Sequence, residues 1–246
     1  MNIVLILILL FCISSIGLVL YFFKKIQTGL LNYLLALGAG SMLSISLVHI
    51  LTESVESSEY AIYAFMGGFL LIYVVEELLT HHTHDHTHED HTHEDPHEHY
   101  DHVALISFIA IFLHTIFDGL GIRAGFSIGE TLGYSILLSV GIHQIPVSLS
   151  LAAIFRESTI SRRTQILLIV LFALAAPLGY ILSDVLIGKL DESFSTILTA
   201  FAGGSLLYVA TADLLPVIHS QTKKKYITIL FFLIGAIAMT SLKLFE

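Results

Sequence analysis

The sequence predicts an all-α, polytopic membrane protein with eight transmembrane helices, and three observations lead to this prediction. Hydrophobic residues make up 55% of the 246 residues and charged residues only 13%, whereas about 25% of the residues in a soluble domain are charged. Eight segments hold the ~20 mostly apolar residues that a helix needs to cross a bilayer. The loops between them are mostly short, so consecutive helices are expected to be antiparallel neighbours. The whole chain, 1–246, is therefore predicted as one transmembrane domain.

The predicted spans are numbered in chain order. They cover residues 3–23, 29–51, 60–79, 102–123, 131–155, 165–187, 194–215 and 225–243. The first has no basic start and no small-residue cleavage site, which favours a retained span over a signal peptide. Cys12 is the only cysteine, so an intrachain disulfide is excluded.

The distribution of Lys and Arg predicts the orientation, because short cytoplasmic loops retain positive charge. Eight of the 11 basic residues fall in odd-numbered loops and three on the other side. This places both termini outside and the loop 81–102 in the cytoplasm, with the cell (plasma) membrane as the default location.

Spans two and seven contain similar stretches. Gly40-Ser41-Met42-Leu43 aligns with Gly204-Ser205-Leu206-Leu207, and His49 then falls on Asp213. Since these spans run in opposite directions, one explanation is an inverted-topology repeat flanking helices four and five, as in many transporters. The other is two small-residue packing faces that look alike, because small residues serve close helix approach in any membrane bundle.

Spans four and five carry ionisable groups where hydrocarbon is expected. His114 and Asp118 are four residues apart, so they share a helix face, and His143 lies in the next span with Pro146 three residues later. Imidazole and carboxylate suit Zn²⁺ and similar cations. A proton relay or a simple helix-linking hydrogen bond would use the same pair. The cost of a carboxylate at mid-helix, at least about 2.5 kcal/mol, favours a function. Gln144 adds a neutral oxygen.

The loop 81–102 holds ten histidines and seven acidic residues. Such a composition cannot form a core, so we expect a disordered segment without metal. Largely neutral imidazoles at cytoplasmic pH predict loose binding of divalent metals, with a regulatory use slightly favoured over passive buffering. The loop ligands expected first are His81, His82, His84, His86, His88, His91 and His93.

The pattern His114-x-x-x-Asp118-Gly119 followed by His143-x-x-Pro146, with eight spans and a His-rich third loop, resembles the ZIP family of zinc and iron transporters. The resemblance covers essentially the whole chain and implies that His114, Asp118 and His143 are metal ligands. Gln144 replaces an acid of the family pattern, and Val147 stands where relatives place an acidic or His ligand. The resemblance therefore implies a site with fewer metal ligands than in relatives.

The C-terminal ends of two other spans also resemble family motifs. His49 with Glu53 closes span two, and Asp213 with Pro216 closes span seven. The resemblance implies that His49, Glu53 and Asp213 line the route to the central site or complete its ligand shell. For Glu53, ordinary polarity at the water boundary is an equal alternative.

The resulting hypothesis is a divalent-metal transporter that moves zinc toward the cytoplasm, and not an enzyme. Metal is its substrate, and no cofactor is required. Three alternatives stay open: a zinc exporter of the cation-diffusion-facilitator type, an intramembrane zinc-dependent hydrolase, and a metal receptor without transport. The expected partners are divalent metal ions and the lipid bilayer, with no nucleic acid; a homodimer is allowed.

Overall fold

The computed structural model describes residues 3–16, 28–84, 96–187, 192–214 and 225–243. Regular structure throughout these residues is helical, which confirms the all-α fold class. We label the helices in chain order and treat the π-helical segments Ile45–Leu51 and Val209–Leu214 as parts of α2 and α7. The helices are α1 (Ile3–Ser14), α2 (28–57), α3 (Ala61–His84), α4 (Pro96–Ile128), α5 (Glu130–Glu157), α6 (Arg162–Ile187), α7 (192–214) and α8 (Lys225–Leu242).

The helices follow the predicted spans, and α2 to α6 extend beyond them at polar ends. Within the described residues, α2 to α8 are the seven helices long and apolar enough to cross a membrane, and α1 is a shorter apolar helix. The remainder of the predicted first span, 17–23, lies outside the described residues. α5 continues through Pro146.

The two ends of the His-rich tract are helical, although the sequence predicts disorder over 81–102. α3 continues to His84, and α4 begins at Pro96. Proline is favourable at the first turn of a helix, because its missing N–H and fixed φ suit that position. Residues 85–95, which include His86, His88, His91 and His93, lie outside the described residues.

α2 and α8 are in direct backbone contact through two glycines. A Cβ at Gly40 would overlap the carbonyl oxygen of Phe232, and one at Gly235 would overlap that of Leu37. Because lipid is as apolar as a leucine side chain, helices in a membrane associate through such close packing rather than through hydrophobic burial.

α7 and α3 meet in the same way. A Cβ at Gly204 would overlap the Phe65 carbonyl oxygen, and one at Gly68 would overlap that of Phe201. The two α7 residues of this contact, Gly204 and Phe201, lie 164 positions after Gly40 and Leu37, the two α2 residues that contact α8.

The π-helical segments obey the same offset, since they begin at Ile45 in α2 and at Val209 in α7. π-Helical turns are rare. Two small-residue faces that merely look alike give no reason for such turns at matching positions. The correspondence therefore favours a repeat that relates α2 to α7.

We divide the helices into group one (α2, α3, α7 and α8) and group two (α1, α4, α5 and α6); α4 contacts α7 across this division as extensively as it contacts α5 within it. Within group two, α4 and α6 also touch backbone to backbone, where Gly119 faces the carbonyl of Ala176 and Gly179 that of Ile116. The groups contact each other mainly along two pairs, α2 with α5 and α4 with α7.

We expect Gly68→Ala to destabilise the protein and Gly67→Ala to leave it intact. The added methyl at Gly68 would overlap the Phe201 carbonyl, whereas at Gly67 it would lie 4.0 Å from the Phe201 ring. Overpacking costs about 1–3 kcal/mol, while alanine is the better helix former. Thermal unfolding of the purified proteins in detergent tests this pair, and equal melting temperatures would contradict the close α3–α7 contact.

Candidate metal site between α4 and α5

The structure brings His114, Asp118 and His143 together. Their exposed fractions are 3%, 1% and 0%. His114 and Asp118 project from one face of α4 toward α5, which carries His143. α4 and α5 are joined at Gly129, whose extended backbone precedes α5. The short connection makes the two helices a hairpin and holds the three side chains at one depth.

The spacing of the ligand atoms suits a zinc ion. Asp118 Oδ2 lies 3.2 Å from His143 Nε2 and 3.4 Å from His114 Nε2. With bonds of ~2.0–2.1 Å, ligand atoms around tetrahedral zinc are about 3.3 Å apart. One ligand atom from each residue lies within 4.8 Å of the others. Two of the three ligand-to-ligand distances therefore match those around a tetrahedral zinc ion.

The backbone of α5 sets the tautomer of His143. Its Nδ1 lies 3.0 Å from the carbonyl oxygen of Ser139, and since a carbonyl can only accept, Nδ1 carries the proton. In the neutral ring Nε2 then directs its lone pair at Asp118 Oδ2. Two acceptors can face each other at this distance only through a shared cation or an added proton. A hydrogen bond to the second nitrogen is the usual way to orient a metal-binding histidine.

Several polar atoms at the site have no hydrogen-bond partner among the described residues. Both ring nitrogens of His114 and Oδ1 of Asp118 are in this position, as is Oγ1 of the neighbouring Thr115. A buried polar atom without a partner costs about 1–3 kcal/mol. A bound cation would engage one ring nitrogen of His114 and the Asp118 carboxylate, so the donor set fits a divalent metal.

Gly38, a small residue of α2 two positions before Gly40, is a further part of the site. A Cβ at Gly38 would lie 3.1 Å from both Cα and Cβ of His143 and 3.6 Å from Cγ of Pro146. α2 thus crosses directly over the ligand-bearing turn of α5. The spacing of small residues in span two was the available signal, but it does not say which helix they approach.

Gln144 is buried beside His143 but lies outside the three-residue cluster. Its Nε2 donates to Oγ of Ser14 in α1, at 3.1 Å, while its Oε1 has no partner among the described residues. The amide therefore links α5 to α1 and retains one free acceptor.

Val147 packs in an apolar cluster and offers no ligand. It is 6% exposed and belongs to the same cluster as Phe108 of α4, Leu151 of α5 and Phe172 of α6. The residue on which the resemblance places an acidic or His ligand thus holds three helices of group two together.

His49 and Glu53 contact α8 rather than the cluster. His49 Nε2 donates to the Met239 carbonyl at 2.8 Å, and Glu53 Oε1 accepts from Lys243 Nζ at 2.8 Å.

The backbone of Asp213 lies in the π-helical segment of α7, and its side chain is outside the described part. The same holds for the side chains of His81, His82 and His84, whose backbone ends α3.

We expect Asp118→Asn to lower the affinity for zinc by at least about 100-fold. The variant keeps the shape of the side chain and removes its charge, and even residues behind the ligands contribute 10–100-fold. Equilibrium zinc titration is measured in a full-length background with Asn at the ten tract histidines, so that the tract does not contribute. Glu53→Gln is the matched control, and equal affinities in the two proteins would contradict the site.

Comparison with known proteins identifies the family. The model of the ZIP zinc transporter family matches residues 1–103 and 80–243. Zinc transporter zipt-7.1 of Caenorhabditis briggsae is 32% identical over 115 residues, which are 46% of this chain and 29% of that protein. Zinc transporter ZIP10 of Mus musculus is 31% identical over 104 residues, or 42% of this chain and 12% of its own length.

A third relative covers more of the chain. Zinc transporter ZIP1 of Danio rerio is 24% identical over 160 residues, which are 64% of this chain and 51% of that protein. The chain thus spans about half or less of the length of these three relatives. The match to the family model runs over both helix groups and includes all three clustered residues. This integral membrane protein belongs to the ZIP zinc transporter family.

Proposed function

We propose that the protein moves a divalent metal ion, zinc in the first place, across the cell membrane toward the cytoplasm. The observation that carries the proposal is the buried cluster of two imidazoles and a carboxylate between α4 and α5, spaced as zinc ligands are. Ionisable groups within membrane spans commonly mark an ion path. The zinc transport named for the three relatives agrees with this choice of substrate.

The number of ligands supports transport over a resident metal. Structural zinc sites use four protein ligands, whereas sites that exchange a bound group keep an open position. Among the described residues the cluster holds three ligands, because Val147 packs in the apolar cluster and the Gln144 amide nitrogen binds Ser14. An ion held by three side chains can leave more readily, with Gln144 Oε1 as an auxiliary ligand.

The two helix groups provide the means of alternating access. In transporters built from repeats, one group rocks against the other around a site near the midplane. Here group two carries the three ligands, and group one covers them where Gly38 crosses His143. We place His49 with Glu53 near the outer end of the route and Asp213 near its cytoplasmic end, as the predicted orientation requires.

The His-rich tract supports the inward direction. With both termini outside, residues 81–102 face the cytoplasm, where ten imidazoles can capture the arriving metal. Sequestration by the tract or the ion gradient itself would then drive the flux. A cation-diffusion-facilitator exporter would move zinc in the opposite direction, and a hydrolase would cleave lipid or peptide without flux.

Reconstituted protein is expected to take up zinc into vesicles, and the double variant His114→Ala/Asp118→Ala to abolish uptake, because two of the three ligands are gone. Uptake is followed with a zinc-sensitive dye trapped inside the vesicles, and size-exclusion profiles verify folding.

A matched control is the double variant His49→Ala/Glu53→Ala. These residues are also four apart and bind α8, so uptake is expected to be reduced but present. Normal uptake by His114→Ala/Asp118→Ala would show that the central site is wrong, and net export from loaded vesicles would reverse the direction.

A further inference from the structure

We propose that Gly121 of α4 and Gly38 of α2 are the sliding contacts between the two helix groups, and that their lack of a side chain sets the rate of transport rather than the affinity for metal. The proposal rests on the proposed transport function. It assigns both residues a positioning role, since neither touches the ion.

Gly121 lies at the contact between α4 and α7. A Cβ at Gly121 would lie 2.7 Å from Cβ of Ala202, which is too close for two methyl groups without displacement. One turn earlier in α4, Phe117 contacts Phe201 edge to face, with ring centroids 5.3 Å apart. The two groups therefore meet here through a glycine against a methyl group and through aromatic rings.

Gly38 lies at the other contact between the groups, where α2 crosses α5. An added Cβ would be 3.1 Å from the Cα and Cβ of His143, so α5 would have to give by a few tenths of an ångström. The carbonyl oxygen of Gly38 accepts from Ser41 Oγ of its own helix at 2.7 Å. That bond stays within α2 when α5 moves.

The two contacts are equivalent in the repeat. Ala202 lies 164 positions after Gly38, the same offset that relates Gly204 to Gly40, and its carbonyl accepts from Ser205 Oγ at 2.7 Å just as that of Gly38 accepts from Ser41. The equivalent positions of α2 and α7 thus both contact group two. In the α2–α5 contact the glycine belongs to group one, and in the α4–α7 contact it belongs to group two.

Polar links hold each group together internally. Group one contains side-chain bonds from Ser44 to Thr240, from Ser46 to the Gly203 carbonyl and from His49 to the Met239 carbonyl. Group two contains the Arg123 to Asp184 ion pair and the Gln144 to Ser14 bond. Six of the glycines inside the groups press on carbonyl oxygens and so fix helices, while others, such as Gly203 and Gly141, meet side-chain carbon atoms of their own group. Gly38 and Gly121 meet only carbon atoms, and these lie across the boundary. Nonpolar contacts without directional bonds allow displacement of one group along the other.

The test is an exchange of the methyl group between α4 and α7. Zinc uptake kinetics of the reconstituted full-length chain are measured for Gly121→Ala, Ala202→Gly, Gly38→Ala and the double variant Gly121→Ala/Ala202→Gly. Gly141→Ala is the matched control, since its methyl would lie 3.4 Å from Ile13 Cδ1 within group two.

We expect Gly121→Ala and Gly38→Ala to lower the maximal uptake rate about tenfold, the size of a typical overpacking penalty. The half-saturating zinc concentration should change less than about threefold in Gly121→Ala, which is the diagnostic variant because Gly38 also contacts the ligand-bearing turn of α5. The exchange variant should recover the rate to within about threefold of wild type, because the contact again holds one methyl group. Ala202→Gly and Gly141→Ala should transport as wild type does.

Three results would overturn the inference: normal uptake by Gly121→Ala, loss of apparent affinity with an unchanged maximal rate, and failure of the exchange variant to recover. If Gly121→Ala fails to fold, the exchange variant still provides the test, because it restores the packing volume. Absence of uptake by the wild-type protein would instead contradict the proposed function itself.

Discussion

The Asp118 carboxylate, buried at 1% exposure between two imidazoles, is the constraint on which the rest of the structure depends. A carboxylate at mid-helix in a membrane costs at least about 2.5 kcal/mol, and it is tolerable only where partners surround it. Those partners require α4 and α5 to form a hairpin with matched depth. They also require a second helix group that closes over the hairpin, which Gly38 permits by crossing directly above His143.

Close backbone packing transmits this constraint through the bundle. Gly119 follows Asp118 and lies against the carbonyl of Ala176 in α6, so the position of the carboxylate is fixed by α6 as well as by α4. In group one, the glycine contacts of α2 with α8 and of α3 with α7 fix the relative positions of those helices in the same way. In a bilayer such contacts replace the hydrophobic effect as the source of helix association, and each one excludes any larger residue at the contact.

The helices and the three clustered residues were predictable because both follow from local rules: apolar length gives spans, and a spacing of four places His114 and Asp118 on one face. The partners of each face are set by tertiary packing and could not be predicted. The pattern in span two shows that Gly38 is small but not that it meets His143. Likewise, the sequence near His49 gives no hint that its imidazole donates to the Met239 carbonyl, or that α2 is π-helical there.

Val147 shows how a residue that weakens a site can serve the proposed function. An acid at this position would lie in the apolar cluster with Phe108, Leu151 and Phe172 and would need a partner to be tolerated there. With valine, the packing of this cluster does not depend on a bound cation. Under the proposed transport function, the contact among α4, α5 and α6 is therefore kept in the metal-free protein, at the cost of a fourth ligand.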